Sequence, residues 1–271
     1  MSRNVYYEDV KIIKKPLALK IKLILSIVVI FLVLGGVVVS AFYISKSITV
    51  ANLGSLFVYG GTKIKIGESV VYMLSLGEFN NRGDAEKVSL GATVQGASGF
   101  VWEKDNRYFV VGSMYKSNED AEKVKNNLLG SSNYKAEVVQ VKYPKINISF
   151  DDYENSDVDK IENAISFFDD VYLEVYNWSL KFDKGEINNL AISSGLSSLR
   201  GELKGFVSKI QTLLSTPNAK LQYIQDSLIK LDELMDSAII RTIDNTGLNY
   251  YLKNVFVNVL KIKYDLFGNL Q

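Results

Sequence analysis

The side chains that could do acid–base or metal chemistry in this chain are almost all carboxylates. Asp151-Asp152-Tyr153-Glu154 and Asp169-Asp170 supply acidic runs, and there is no His or Cys among the 271 residues. That absence excludes an imidazole base, a Ser-His-Asp triad, a thiolate nucleophile, a disulfide framework and the ordinary zinc site. Carboxylate-only work, such as a glycosidase pair or a hard-metal site, survives in principle. A glycosidase needs two carboxyls converging across one cleft. Here they scatter over polar helix faces or sit at a helix start, and the adjacent Asp169 and Asp170 diverge on one helix. Asp151 and Asp152 read as solvated charge. The expectation is a non-enzyme with no cofactor and no metal. A net charge of +1 also argues against nucleic acid as a partner.

The acidic runs lie on elements whose apolar period is helical. Val158, Ile161, Ile165, Phe168, Tyr172 and Val175 form one stripe. Leu196, Leu199, Leu203, Phe206, Ile210 and Leu213 form a second, and Leu221, Ile224, Leu228, Leu231, Met235 and Ala238 a third. Leu248, Tyr251, Val255, Val259 and Ile262 form a fourth. Such stripes predict amphipathic helices that bury one another's apolar faces, here an antiparallel bundle of about four helices over 146–271. Thr216-Pro217 is placed to open the third helix. The aromatic set Phe167, Phe168, Tyr172, Tyr176 and Trp178 reads as core or interface. The stripes fit either an intramolecular core or a seam for self-association.

Leu23 to Ser45 carries no charge and is long enough for a membrane-crossing helix of about 30 Å. Arg3, Lys11, Lys14, Lys15, Lys20 and Lys22 precede it, and between it and Lys63 stands only Lys46. The positive-inside rule then gives a cytoplasmic tail over 1–22, a transmembrane helix over 23–45 and everything later outside. The expected localisation is the plasma membrane, single-pass, with extracytoplasmic C-terminal domains. Val39-Ser40-Ala41 keeps a cleaved signal peptide open as a rival. Residues 46–66 read as a linker or weak strand.

Between linker and bundle the chain repeats itself. Asp84-Ala85-Glu86-Lys87-Val88 returns as Asp120-Ala121-Glu122-Lys123-Val124, an offset of 36. Strands are predicted over 70–76, 100–104, 107–111 and 136–141, and helices over 83–94 and 118–129. Ser117 or Asn118 caps the second helix. Asp105-Asn106 is a two-residue hairpin turn, pairing Lys104 with Arg107, Glu103 with Tyr108 and Trp102 with Phe109. The order is βαββαβ, the ferredoxin-like arrangement, over 67–145. The fold class is thus α+β: one transmembrane helix, the βαββαβ domain, then the all-α bundle. Both repeat helices are expected on one sheet face, with the other left for a partner.

Tyr72-Met73-Leu74-Ser75-Leu76-Gly77-Glu78-Phe79 with Gly83-Asp84-Ala85-Glu86-Lys87, and Tyr108-Phe109-Val110-Val111-Gly112 with Asn118-Glu119-Asp120-Ala121-Glu122, resemble the two halves of a SPOR domain, the sporulation-related repeat of bacterial envelope proteins. The resemblance implies binding to peptidoglycan glycan strands stripped of their stem peptides, in cell division or sporulation. Ser75 stands where the family usually has Gln, and Tyr108 or Val110 where an Arg is common. By that analogy Tyr108, Val110, Glu103 and Val101 share the ligand face with Ser75 and Met73, while Trp102, Phe109 and Val111 point to the helices. Tyr108 would stack on a sugar ring, and Ser75 and Gln140 would hydrogen-bond it. The expected function is a membrane-anchored, peptidoglycan-binding envelope protein with possible envelope protein partners. The alternative, which Ser75 favours, is a protein-interaction scaffold whose SPOR-like domain has lost glycan binding.

Overall fold

The computed structural model describes residues 63–129, 134–215, 217–244 and 247–271. All of them belong to one compact unit. In chain order the strands are β1 (Lys63–Ile66), β2 (Ser69–Phe79), β3 (Phe100–Lys104), β4 (Arg107–Tyr115), β5 (Glu137–Tyr143) and β6 (Ile146–Ser149). The helices are α1 (Arg82–Val94), α2 (Asn118–Leu129), α3 (Asn155–Asp183), α4 (Asn189–Leu213), α5 (Ala219–Asp244) and α6 (Leu248–Leu270).

Among these residues no helix is long and apolar enough to cross a membrane. The span expected at Leu23–Ser45 lies outside the described residues. The architecture is α+β, built of helices and two small sheets. This corrects the expected fold class, which included a transmembrane helix, and with it the expected single-pass plasma-membrane localisation.

β2 to β5 form an antiparallel sheet in the order β3-β4-β2-β5, with α1 after β2 and α2 after β4. Asp105 and Asn106 both have positive φ, the geometry of the tight hairpin turn that follows the right-handed strand twist. Lys104 pairs with Arg107, Glu103 with Tyr108 and Trp102 with Phe109. Asn81 Oδ1 accepts from the Asp84 amide at 2.9 Å, and Ser117 Oγ from the Asp120 amide at 3.3 Å. Each satisfies a donor that a helix start leaves open.

A second sheet was not foreseen. β1 pairs antiparallel with β6, Ile64 opposite Ile148 and Ile66 opposite Ile146. β1 falls at the end of the segment read as a linker or weak strand, and β6 in the expected bundle. The pair's four isoleucines join the core that also holds Met73, Trp102, Val111, Val141 and the stripes of α3 to α6. The first and third stripes are buried throughout. α5 opens at Asn218, whose Oδ1 accepts from the Lys220 and Leu221 amides at 3.0 and 3.2 Å. That places the cap just beyond Pro217, while Thr216 lies outside the described residues.

Candidate functional site

The sheet has two faces, and both are covered. Leu74, Leu76 and Val110 pack with Ala85 and Ala92 of α1, joined by half-buried Val101 and Tyr108. Met73, Trp102, Val111 and Val141, with half-buried Phe100, Phe109 and Val139, join the bundle core instead. The cross-strand pairing is as expected, but the faces are exchanged. Tyr108 and Val101 lie toward the repeat helices, and Trp102, Phe109 and Val111 lie away from them.

The face expected to await a partner carries α6. The Trp102 ring meets Tyr264 edge-on at 5.7 Å, with the Lys261 ammonium 5.7 Å from its centroid. Tyr143 meets Tyr264 and Phe267 edge-on, both at 5.9 Å, and its hydroxyl donates to the Leu260 carbonyl at 3.0 Å. At the other end of α6, Lys253 Nζ donates to the Gly96 carbonyl at 3.0 Å and Asn254 Nδ2 to the Ser98 carbonyl at 3.1 Å. These bonds satisfy carbonyls of the loop that follows α1, and they tie both ends of the helix to the sheet layer.

The structure therefore does not bring Ser75, Tyr108 and Gln140 together. Ser75 is 2 % exposed and pairs with Val111, on the bundle side. Its Oγ donates to the Gly77 carbonyl at 3.1 Å and accepts from the Gly77 amide at 3.3 Å. Tyr108 is half-buried against the repeat-helix side. Gln140 is exposed and pairs with Tyr72, which in turn pairs with Tyr115 of that same side. The physical reason is irregular register between β2 and β4: shifts fall between Leu74 and Ser75 and between Ser75 and Glu78. Each bulge moves later residues to the opposite face, so simple alternation cannot carry the Met73 face through to Phe79.

The seam between sheet and bundle brings Asp169 and Tyr172 together with ionisable groups that sequence reasoning missed, Lys263 and Lys116 among them. Lys263 Nζ lies 2.5 Å from Asp169 Oδ1, so this carboxylate is committed to an ion pair. Lys116 lies 5.8 Å from the Tyr172 ring centroid, and burial lowers its pKa, opposed by the Asp169 charge. Burial pushes the Tyr115 phenol up to about 12, against a hydrogen bond with Ser113 that lowers it. Burial likewise raises Tyr143 and Tyr172. Each of these phenols binds its proton more tightly in the folded chain. Their contribution to stability is complete below the ordinary tyrosine value of about 10 and is lost as pH rises above it. The urea midpoint is accordingly expected to fall between about pH 10 and 12, together with a cooperative rise in tyrosinate absorbance. A midpoint unchanged to pH 12 would show these phenols to be solvent-exposed.

A cavity of about 210 Å³ opens between the sheet and α2, lined by Leu74, Leu76, Gly112, Val124 and Leu128, with Lys253 at its margin. It is smaller than the roughly 300 Å³ at which small-molecule pockets begin. The Lys253 charge is already matched by Asp183 at 3.0 Å. Among the described residues no group of His, Cys, Asp or Glu could hold a metal ion. The described residues form an arrangement of packed faces and ion pairs. No family model, curated protein or solved structure matches the chain.

Proposed function

We propose that the chain is a protein-interaction scaffold in which the SPOR-like sheet serves its own helical bundle rather than a glycan strand. The observation that carries this reading is α6 lying across the sheet, with its Tyr264 and Phe267 edge-on to Trp102 and Tyr143 of the strands. A glycan reaching that face would have to displace a helix in which Leu260, Leu266 and Phe267 are all buried. The dispersal of Ser75, Tyr108 and Gln140 supports the same reading. So does the commitment of Asp169 to Lys263.

The test is a pull-down of the full chain with intact sacculi and with sacculi whose stem peptides an amidase has removed. It is paired with chemical crosslinking before and after glycan digestion. Neither kind of sacculus should enrich the chain, and Tyr108→Ala should change nothing. Crosslinks to protein should persist at equal yield once glycan is digested. Retention on stripped sacculi alone, weakened by Tyr108→Ala, would overturn the scaffold reading in favour of denuded-glycan binding.

A further inference from the structure

Helix α4 carries three glycines, and only one has an internal reason to be there. A Cβ on Gly195 would lie 2.4 Å from the Trp178 ring, whereas a Cβ on Gly201 or Gly205 would meet nothing within 4 Å. Glycine inside a helix costs about 1 kcal/mol relative to alanine, so two outward-facing glycines leave that cost without compensation inside the chain. They lie in a row of exposed small residues at alternating four- and three-residue steps: Ser194, Ser198, Gly201, Gly205, Ser208 and Thr212. Such a row lets a second helix backbone approach closely, with Cα–H groups against carbonyls.

Two further observations point to the occupant. Glu202 and Lys204 flank the row on opposite sides. Both are exposed, and Lys204 lines a cavity it shares with Asp232, whose carboxyl its charge helps hold down. When two copies of α4 run parallel about a two-fold axis, the left flank of one meets the right flank of the other. Glu202 then faces Lys204 of the second copy, twice over. An antiparallel pair would instead set Glu202 against Glu202. The second observation is a cavity of about 320 Å³ beside the row, between α4 and α5, lined in part by Ser208, Gln211, Thr212, Gln225 and Asp232. Gln225 is 3 % exposed, and its Oε1 has no hydrogen-bond partner, although its Nε2 donates to Gln211 Oε1 at 3.1 Å. A buried acceptor without a donor is costly. In the parallel arrangement Lys209 of the second copy, exposed and resting only over its own Phe206 ring, comes level with this cavity. It brings the missing donor, while Asp232 on the same wall already pairs with Arg200 at 2.7 Å.

We propose that α4 is a homodimer seam, docking in parallel on α4 of a second copy of this chain through Gly201 and Gly205, with Glu202 and Lys204 setting the direction. The inference rests on the scaffold reading and names one of its partners. Sedimentation velocity of the full chain across a concentration series should show a monomer–dimer equilibrium. Gly201→Leu with Gly205→Leu should raise the dissociation constant at least about tenfold, or 1.4 kcal/mol, without lowering the melting temperature, since leucine is the better helix former. Glu202→Lys alone and Lys204→Glu alone should each be monomeric. Mixed together they should associate, because every flank contact is then between opposite charges. The chain has no native cysteine, so Ser198→Cys and Ser208→Cys should each form a disulfide with its own copy.

A wild-type chain that stays monomeric throughout would overturn the seam. So would a dimer indifferent to the glycine substitutions, or one in which Ser198→Cys crosslinks only to Ser208→Cys. None of these outcomes touches the scaffold reading, which fails separately if the chain is retained on stripped glycan.

Discussion

Trp102→Ala is expected to lower the unfolding free energy by about 3–5 kcal/mol, the usual range for deleting a buried large aromatic. At roughly 2–4 °C per kcal/mol for a chain of this size, the melting temperature should drop by about 6–20 °C. The reason is position as much as volume. Trp102 is fully buried where β3 meets α6, edge-on to Phe100 at 6.3 Å and to Tyr264 at 5.7 Å. Its removal opens a cavity in the contact that joins the sheet layer to the bundle, so both layers should unfold in one transition with an unchanged denaturant slope. Trp102→Phe separates packing from polarity. The indole Nε1 has no hydrogen-bond partner, and phenylalanine removes that unsatisfied donor while keeping most of the ring. The relief of about 1–3 kcal/mol for a buried unpaired group offsets much of the lost volume, and a net change within about 1 kcal/mol is expected. Urea unfolding of the three proteins checks both figures. A cost below about 1 kcal/mol for Trp102→Ala would mean that α6 does not seat on this face.

The interdependence of the two layers explains which parts of the structure could be read from residues alone. Local rules were enough for the repeat: Asp105-Asn106 turned as a short hairpin, Ser117 capped its helix, and the two acidic-Ala-Glu starts became α1 and α2. The stripes of α3 and α5 were equally plain, because a period of 3.6 over six apolar positions has one structural solution. Parity in β3 and β4 correctly grouped Tyr108 with Val101 and Trp102 with Phe109, but parity says which residues share a face and not which layer that face meets. The sheet is apolar on both sides, so the assignment was open, and it went the other way. The bulges near Ser75 and Gly77 have no strong sequence signature, and they separated Ser75 from Tyr108.

One signal for the covered face was present and was underused. Val255-Phe256-Val257 and Val259-Leu260 are continuous apolar runs, and all five residues are buried in α6. A helix with one apolar stripe needs one neighbour, whereas a helix apolar over most of its circumference needs two. Reading only Leu248, Tyr251, Val255, Val259 and Ile262 accounts for the bundle side and leaves Leu260 and Phe267, which meet Tyr143, without a partner. The sheet is that partner. The β1–β6 pair was illegible for a different reason. Each strand has only four residues, and alternation over so short a run is too brief to stand out from coil, so the pairing is set by what the chain brings together later.

Lys263→Ala is expected to cost about 2–4 kcal/mol, below the top of the range for breaking a buried pair because the Asp169 side chain keeps 21 % of its surface exposed. Lys263 itself is 7 % exposed. Its ammonium lies 5.3 Å from the Tyr143 centroid and 5.1 Å from that of Phe267, so truncation loses two ring contacts as well as the ion pair. The remaining Asp169 charge would sit beside the buried phenols of Tyr143 and Tyr172, with the exposed Lys116 nearby. Lys263→Met keeps the aliphatic stem against the rings and removes only the charge. Paired with Asp169→Leu it should return the chain to within about 1 kcal/mol of wild type, since an apolar pair of similar volume avoids desolvating two ions. A double-mutant cycle over Lys263→Met and Asp169→Leu reads the coupling directly. Strong coupling with a near-neutral double variant would identify the pair as a device that fixes how α3 and α6 register rather than a net source of stability. If instead the double variant is as unstable as the worse single one, the seam depends on the charges themselves. In that case the packing of Tyr143 and Phe267 around Lys263 is secondary to the ion pair.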